Sequence, residues 1–78
     1  MPTLDRIDGL KIVVNNGEHR PPHVHVIYNE FEALILIETC QIYAGDLPTK
    51  QMKRALDWVA GNQDWALSVF YELNPLLK

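Results

Sequence analysis

The sequence predicts an α+β fold in which an antiparallel sheet of three to four strands is followed by a helical hairpin packed on one face (β-β-β-β-α-α). Two patterns predict it: apolar residues alternate with period two between residues 10 and 44, and they recur at helical spacing after residue 48. The chain has 78 residues, which is enough for one small domain with a single core. We therefore expect one domain, residues 1–78, with two layers.

Three strands and a short fourth follow from the alternation. They are predicted over residues 10–15, 23–28, 31–38 and 41–44. Asn29-Glu30 forms a two-residue hairpin turn, because Asn tolerates the positive φ that such turns require. This turn places His25 opposite Leu34, and the next turn places Ile42 opposite Ile37. Residues 1–8 have mixed charges and are predicted as a lead-in without a strand.

Two helices complete the predicted fold. Pro48 suits the first turn of a helix that ends near Gly61, and Asn62 is placed to cap a second helix that Asn74-Pro75 terminates. Each helix has one apolar stripe, so both need a surface to cover. The core face of the predicted sheet comprises Val24, Val26, Tyr28, Phe31, Ala33, Ile35, Ile37, Ile42 and Ala44.

Composition limits the function classes. One cysteine, Cys40, excludes an internal disulfide and a Cys-rich zinc site, and a reducing compartment fits it best. The start of the chain lacks the pattern of a secretory signal, and the aliphatic run at 33–37 is too short to span a membrane. We therefore expect a cytoplasmic protein. The net charge of −3 disfavours general binding to nucleic acid, and Lys50, Lys53 and Arg54 offer only a local basic group.

The chemistry is concentrated in residues 19–26, with the sequence HRPPHVHV, which we call the histidine segment. His23 and His25 share one face of a strand and are candidate metal ligands, with His19 or Glu38 as a third. With His19 and Arg20 they are also candidate catalytic residues for RNA cleavage, since imidazole moves protons and guanidinium binds phosphate. A plain alternative is that both are half-buried strand residues hydrogen-bonded to their neighbours. No cofactor other than a metal ion is expected.

The His-Arg-Pro-Pro-His run and the strand after it resemble a family of small, mostly bacterial proteins known as domain of unknown function 4160. The similarity continues through Glu32-Ala33, Ile37-Glu38-Thr39, Gly45-Asp46-Leu47-Pro48, Ala55, Trp58 and Asp64. The resemblance implies a gene neighbourhood in which such genes lie beside another small reading frame, in pairs like toxin–antitoxin modules. Cys40 and Phe70 stand where the family commonly has glycine and tryptophan.

The face of the sheet opposite the predicted core is the candidate partner surface. Its apolar members are Val13, Ile27, Leu34, Leu36 and Tyr43. Apolar patches of this kind usually mark contacts. We expect this face to bind another protein, either the neighbouring gene product or a second copy of the chain, with the histidine segment as the functional site. A purely structural interaction module remains the alternative without catalysis.

Overall fold

A computed structural model describes residues 3–78 and confirms the α+β fold. One antiparallel sheet has the strand order β1-β2-β3-β4-β5. The strands are β1 Thr3–Ile7, β2 Leu10–Val13, β3 His23–Tyr28, β4 Phe31–Leu36 and β5 Ile42–Asp46. The helices are α1 Thr49–Gly61 and α2 Gln63–Leu73, and a short 3-10 helix spans Pro75–Leu77.

The central hairpin has the predicted register. His23 lies opposite Leu36, His25 opposite Leu34, and Tyr28 opposite Phe31. Asn29 turns the chain with φ of 52°, the left-handed conformation that the turn requires. Because side chains alternate along a strand, this register puts His23 and His25 on the side of β3 away from Val24.

Strand β1 is a finding beyond the predicted three to four strands. Asp8 and Gly9, with φ of 47° and 82°, form a tight turn that folds β1 back along β2. Apolar and polar residues alternate only weakly along β1, because it is an edge strand that is only partly buried. Leu4 and Ile7 nevertheless pack against the core.

Strand β5 differs from its predicted register. Ile42 pairs with Ile35, not Ile37, and the pairing shifts between Leu34 and Ile35. The reason is the preceding turn: Cys40, with φ of 57°, donates its backbone N–H to Leu36 O at 2.9 Å, which ends β4 at Leu36. Ile42 and Ala44, which were predicted to lie in the core, are exposed as a result. Phe31, another predicted core residue, is also exposed, at the opposite end of β4.

The core lies between one face of the sheet and the helices. Its fully or nearly fully buried members are Leu10, Ile12, Val14, Val24, Val26, Ala33, Ile35, Ile37, Leu47, Ala55, Trp58, Val59, Ala66 and Phe70. Asn62 precedes α2 as predicted but makes no capping bond there; its side chain donates to Trp58 O at 2.8 Å. In the part of the chain described, no helix is both long and apolar enough to cross a bilayer.

Candidate functional site

A loop between β2 and β3 brings Glu18 to the histidines. The backbone N–H of Glu18 donates to Asn74 Oδ1 at 2.8 Å, so the end of α2 fixes the position of this loop. Pro21 and Pro22 then lead into β3 through a cis peptide bond between Arg20 and Pro21. The Glu18 side chain thereby reaches the first residues of β3, although it precedes His23 by five positions.

Glu18, His23 and His25 form a compact cluster, which we call the Glu-His-His cluster. His23 Nε2 lies 2.9 Å from Glu18 Oε2, and His25 Nε2 lies 2.8 Å from Glu18 Oε1. The two imidazole centroids are 5.2 Å apart. Each residue contributes one side-chain nitrogen or oxygen atom, and these three atoms all lie within 4.8 Å of one another. His23 and His25 lie on the same face of β3, as the sequence predicts, and both rings therefore reach the Glu18 carboxylate.

The outer nitrogens of both rings also have partners. His23 Nδ1 donates to the carbonyl oxygen of Pro21 at 2.8 Å, because a carbonyl can only accept. His25 Nδ1 lies 3.0 Å from Glu32 Oε2 on the neighbouring strand. Each ring is thus held at both nitrogens, with its Nε2 turned toward Glu18.

The Glu18 carboxylate is ionised more readily than an ordinary glutamate. Its burial alone would raise the pKa, but the hydrogen bonds from His25 and Asn15, together with the charge of His23, outweigh burial and hold the pKa below its usual value. The carboxylate therefore keeps its negative charge beside the two rings.

His23 is less accessible than the sequence indicates. It is 5% exposed, and its ring lies 5.8 Å from that of Phe70. Helix α2 contacts the ends of the strands: Gln63 Nε2 donates to Ile37 O, and Asn74 Nδ2 to Asn15 O. Phe70 consequently reaches a ring expected to point away from the helices, and His25 is the more accessible of the two histidines.

The other candidates of the histidine segment lie outside the cluster. His19 is exposed, and Arg20 is exposed and donates from its guanidinium to Leu77 O. Glu38, named as a possible third ligand, is exposed and is also absent from the cluster. No sequence pattern predicts Glu18 as the third member of the cluster, because its approach depends on how residues 15–22 fold back.

Comparison with family models places these residues in context. The model described as Domain of unknown function (DUF4160) matches residues 9–70, which include all three members of the Glu-His-His cluster. The chain belongs to the DUF4160 family. Comparison with curated proteins and with solved structures gave no match.

The candidate partner surface of this DUF4160 domain, which lies on the face of the sheet opposite the core and is called the open face from here on, has a smaller accessible apolar area than the sequence predicts. Val13 has no exposed surface, so it is outside the accessible part of the face. Ile27, Leu34 and Leu36 are half-buried, and Tyr43 is 58% exposed. The accessible apolar part of the open face is therefore centred on β4 and β5.

The basic residues of α1 make a different surface. Lys50, Lys53 and Arg54 are exposed, but Arg54 pairs with Asp8 at 2.8 Å. Such an exposed pair contributes little stability and partly neutralises the local positive field. The group therefore resembles a solvated helix face.

Proposed function

We propose that this DUF4160 chain is the protein-binding component of a two-gene, toxin–antitoxin-like module, and that its partner binds the open face of the sheet. The observation that carries the proposal is the combination of apolar and acidic residues on β4 and β5. Leu34, Leu36 and Tyr43 supply apolar contact, and β5 is exposed at all five of its residues. The gene neighbourhood that the family resemblance implies supports the neighbouring gene product as this partner.

Charge defines the kind of partner. Residues 21–49 contain four acidic residues and neither lysine nor arginine. The acidic residues, all exposed, are Glu30, Glu32, Glu38 and Asp46. This part of the sheet would repel a phosphate backbone and attract a basic protein surface. A protein with apolar side chains surrounded by Lys and Arg therefore fits, whereas an RNA substrate fits poorly.

The binding test uses the product of the neighbouring reading frame. Leu34→Glu combined with Leu36→Glu should weaken the complex by at least about 100-fold, because buried anchors at an interface contribute roughly 2 kcal/mol or more each. Leu76, which is 96% exposed and lies after α2, gives the matched control Leu76→Glu, which should bind normally. Titration calorimetry measures both variants.

Folding must be separated from binding, since Leu34 and Leu36 are half-buried. Tyr43→Glu tests the same face at an exposed position, and thermal melts report whether each variant folds. Normal binding by a folded Tyr43→Glu variant and by the double variant would contradict the proposal. A stable homodimer in light scattering that blocks the neighbour's binding would assign the face to a second copy instead.

The module itself is tested by growth. Each protein is expressed alone and then both together from separate inducible promoters. One of the two should slow growth alone, and the other should relieve the defect. Complex formation without any growth effect of either protein would leave the binding role intact and would refute the toxin–antitoxin assignment.

A further inference from the structure

We infer that the Glu-His-His cluster is a binding site for a divalent transition-metal ion, for which Zn²⁺ is the natural probe. The inference is independent of the proposed protein-binding function. The three side chains converge from one loop and one strand, and they offer two imidazole nitrogens and a carboxylate. Two histidines and one glutamate are a donor set that Zn²⁺ takes in proteins, with a fourth position left open.

As neutral imidazoles, the two rings cannot donate to all four oxygens that they contact. Four acceptor oxygens surround the two rings: Pro21 O, both oxygens of Glu18, and Glu32 Oε2. Two neutral imidazoles carry only two N–H groups. If these face outward to Pro21 and Glu32, both Nε2 lone pairs face the Glu18 carboxylate. Two extra protons or one divalent cation would satisfy this arrangement.

The outer hydrogen bonds favour the cation. A metal-binding histidine usually donates its second ring N–H to a carbonyl or a carboxylate, which orients the ring and sets its tautomer. His23 has a backbone carbonyl in that role, from Pro21, and His25 has the carboxylate of Glu32. Both rings therefore turn Nε2 to the same side, toward Glu18, where a cation would replace the direct contacts between Nε2 and the carboxylate.

The distances suit a small ion after a limited adjustment. Tetrahedral Zn²⁺ holds neighbouring ligand atoms roughly 3.3 Å apart. The two Nε2 atoms are 2.8 and 2.9 Å from different Glu18 oxygens, and the three ligand atoms lie within 4.8 Å of one another, so the close pairs must separate by roughly 0.5 Å and the widest pair must close by up to roughly 1.5 Å. Glu18 and His25 are each 16% exposed at the side chain, which leaves a route for the ion from solvent.

The test measures Zn²⁺ binding to chain purified without a histidine tag and stripped with a chelator. Titration calorimetry should give one equivalent per chain, and Co²⁺ should give the visible absorption of a tetrahedral site. Glu18→Gln and His25→Ala should each lower Zn²⁺ affinity by at least about 100-fold, and Glu32→Gln by about 10-fold through the outer hydrogen bond. His19→Ala is the matched control, because His19 is exposed and outside the cluster, and it should bind as the parent does.

Two outcomes would overturn the inference. Less than a tenth of an equivalent of Zn²⁺ at saturating metal would show that the rings are satisfied by protons alone. Binding lost in His19→Ala but retained in His25→Ala would place any metal elsewhere. Thermal melts of the metal-free variants identify any that fail to fold, and His25→Asn then replaces His25→Ala. Failure here leaves the partner test unaffected, because that test uses β4 and β5.

Discussion

Asn74 at the end of α2 accepts a hydrogen bond from the backbone N–H of Glu18, a residue 56 positions earlier in the chain. The same side chain donates from Nδ2 to Asn15 O and to Phe70 O, both at 3.0 Å. Asn74 is one of the two polar residues buried in the described chain, the other being His23. A single side-chain amide thus joins the helical layer to the loop that carries Glu18.

Replacing Asn74 by Ala should destabilise the domain by about 2–4 kcal/mol, because the part-buried Glu18 N–H and Asn15 carbonyl both lose the partner that Asn74 provides. Asn16→Ala is the control, since Asn16 is exposed in the same loop. Urea unfolding of the two metal-free variants measures the difference. A loss of less than about 0.5 kcal/mol for Asn74→Ala would mean that water replaces the amide and that the loop is held by other contacts.

Strand β1 is secured to α1 by a second long-range bond. Trp58 Nε1 donates to Asp5 Oδ2 at 2.8 Å. Asp5→Ala should lower the free energy of unfolding by about 1–3 kcal/mol, because the nearly buried indole N–H loses its acceptor. Asp5→Asn keeps an oxygen acceptor and should cost less. Urea unfolding gives both values, and amide hydrogen exchange of residues 3–7 shows whether β1 detaches; equal losses in the two variants would contradict this role.

The central sheet was predictable because it depends on local patterns. Alternation fixes which side of β3 His25 occupies, and Asn29 fixes the turn that sets its register with Leu34. The apolar stripe of each helix then indicates the layer that covers the sheet. These features follow from residues close together in sequence, and the structure confirms them.

The site was only partly predictable because the position of its third residue, Glu18, depends on tertiary contacts. Asn74 and Glu18 are far apart in sequence, and no periodicity relates them. The turn at Cys40 is similar: with its positive φ and its bond to Leu36, it shifts Ile42 by two residues along β4 relative to the predicted register, and residues 44–46 by one residue. Both misses occur where one loop conformation outweighs the strand pattern.

Gly45 is required by the close approach of β5 to β4. A Cβ at Gly45 would lie 2.2 Å from Glu32 O and 2.9 Å from Ala33 Cα, and its φ is 80°. Gly45→Ala should therefore cost more than about 2 kcal/mol or displace β5, since backbone atoms cannot move aside and left-handed φ alone costs roughly 1–2 kcal/mol.

Gly61, the last residue of α1, gives the control for this substitution. Nothing lies within 4 Å of a Cβ built there, so Gly61→Ala should be neutral or stabilise the fold by up to about 1 kcal/mol. Thermal unfolding measures both variants. If Gly45→Ala folds with unchanged stability and its β5 amides stay protected, then the β4–β5 approach is looser than described.

The last prediction concerns acid. Because the pKa of Glu18 is lower in the folded chain than the ordinary value of 4.5, its stabilising effect is complete above that value and is lost as pH falls through the lower, folded-state pKa. The groups facing it are His23 and His25 from β3 and Asn15 from its own loop, with Glu32 on the far side of His25.

Metal-free parent and Glu18→Gln should therefore differ most in unfolding free energy above pH 4.5, with the parent more stable, and should converge as pH falls through the lower pKa of the folded chain and the carboxylate is protonated. Urea unfolding at a series of pH values with a chelator present measures the gap. Glu30→Gln, at an exposed turn residue, is the control and should show a small difference throughout. A Glu18→Gln gap that stays constant from neutral to acid pH would show that the carboxylate contributes by shape and not by charge, and that the two imidazoles do not hold its negative form.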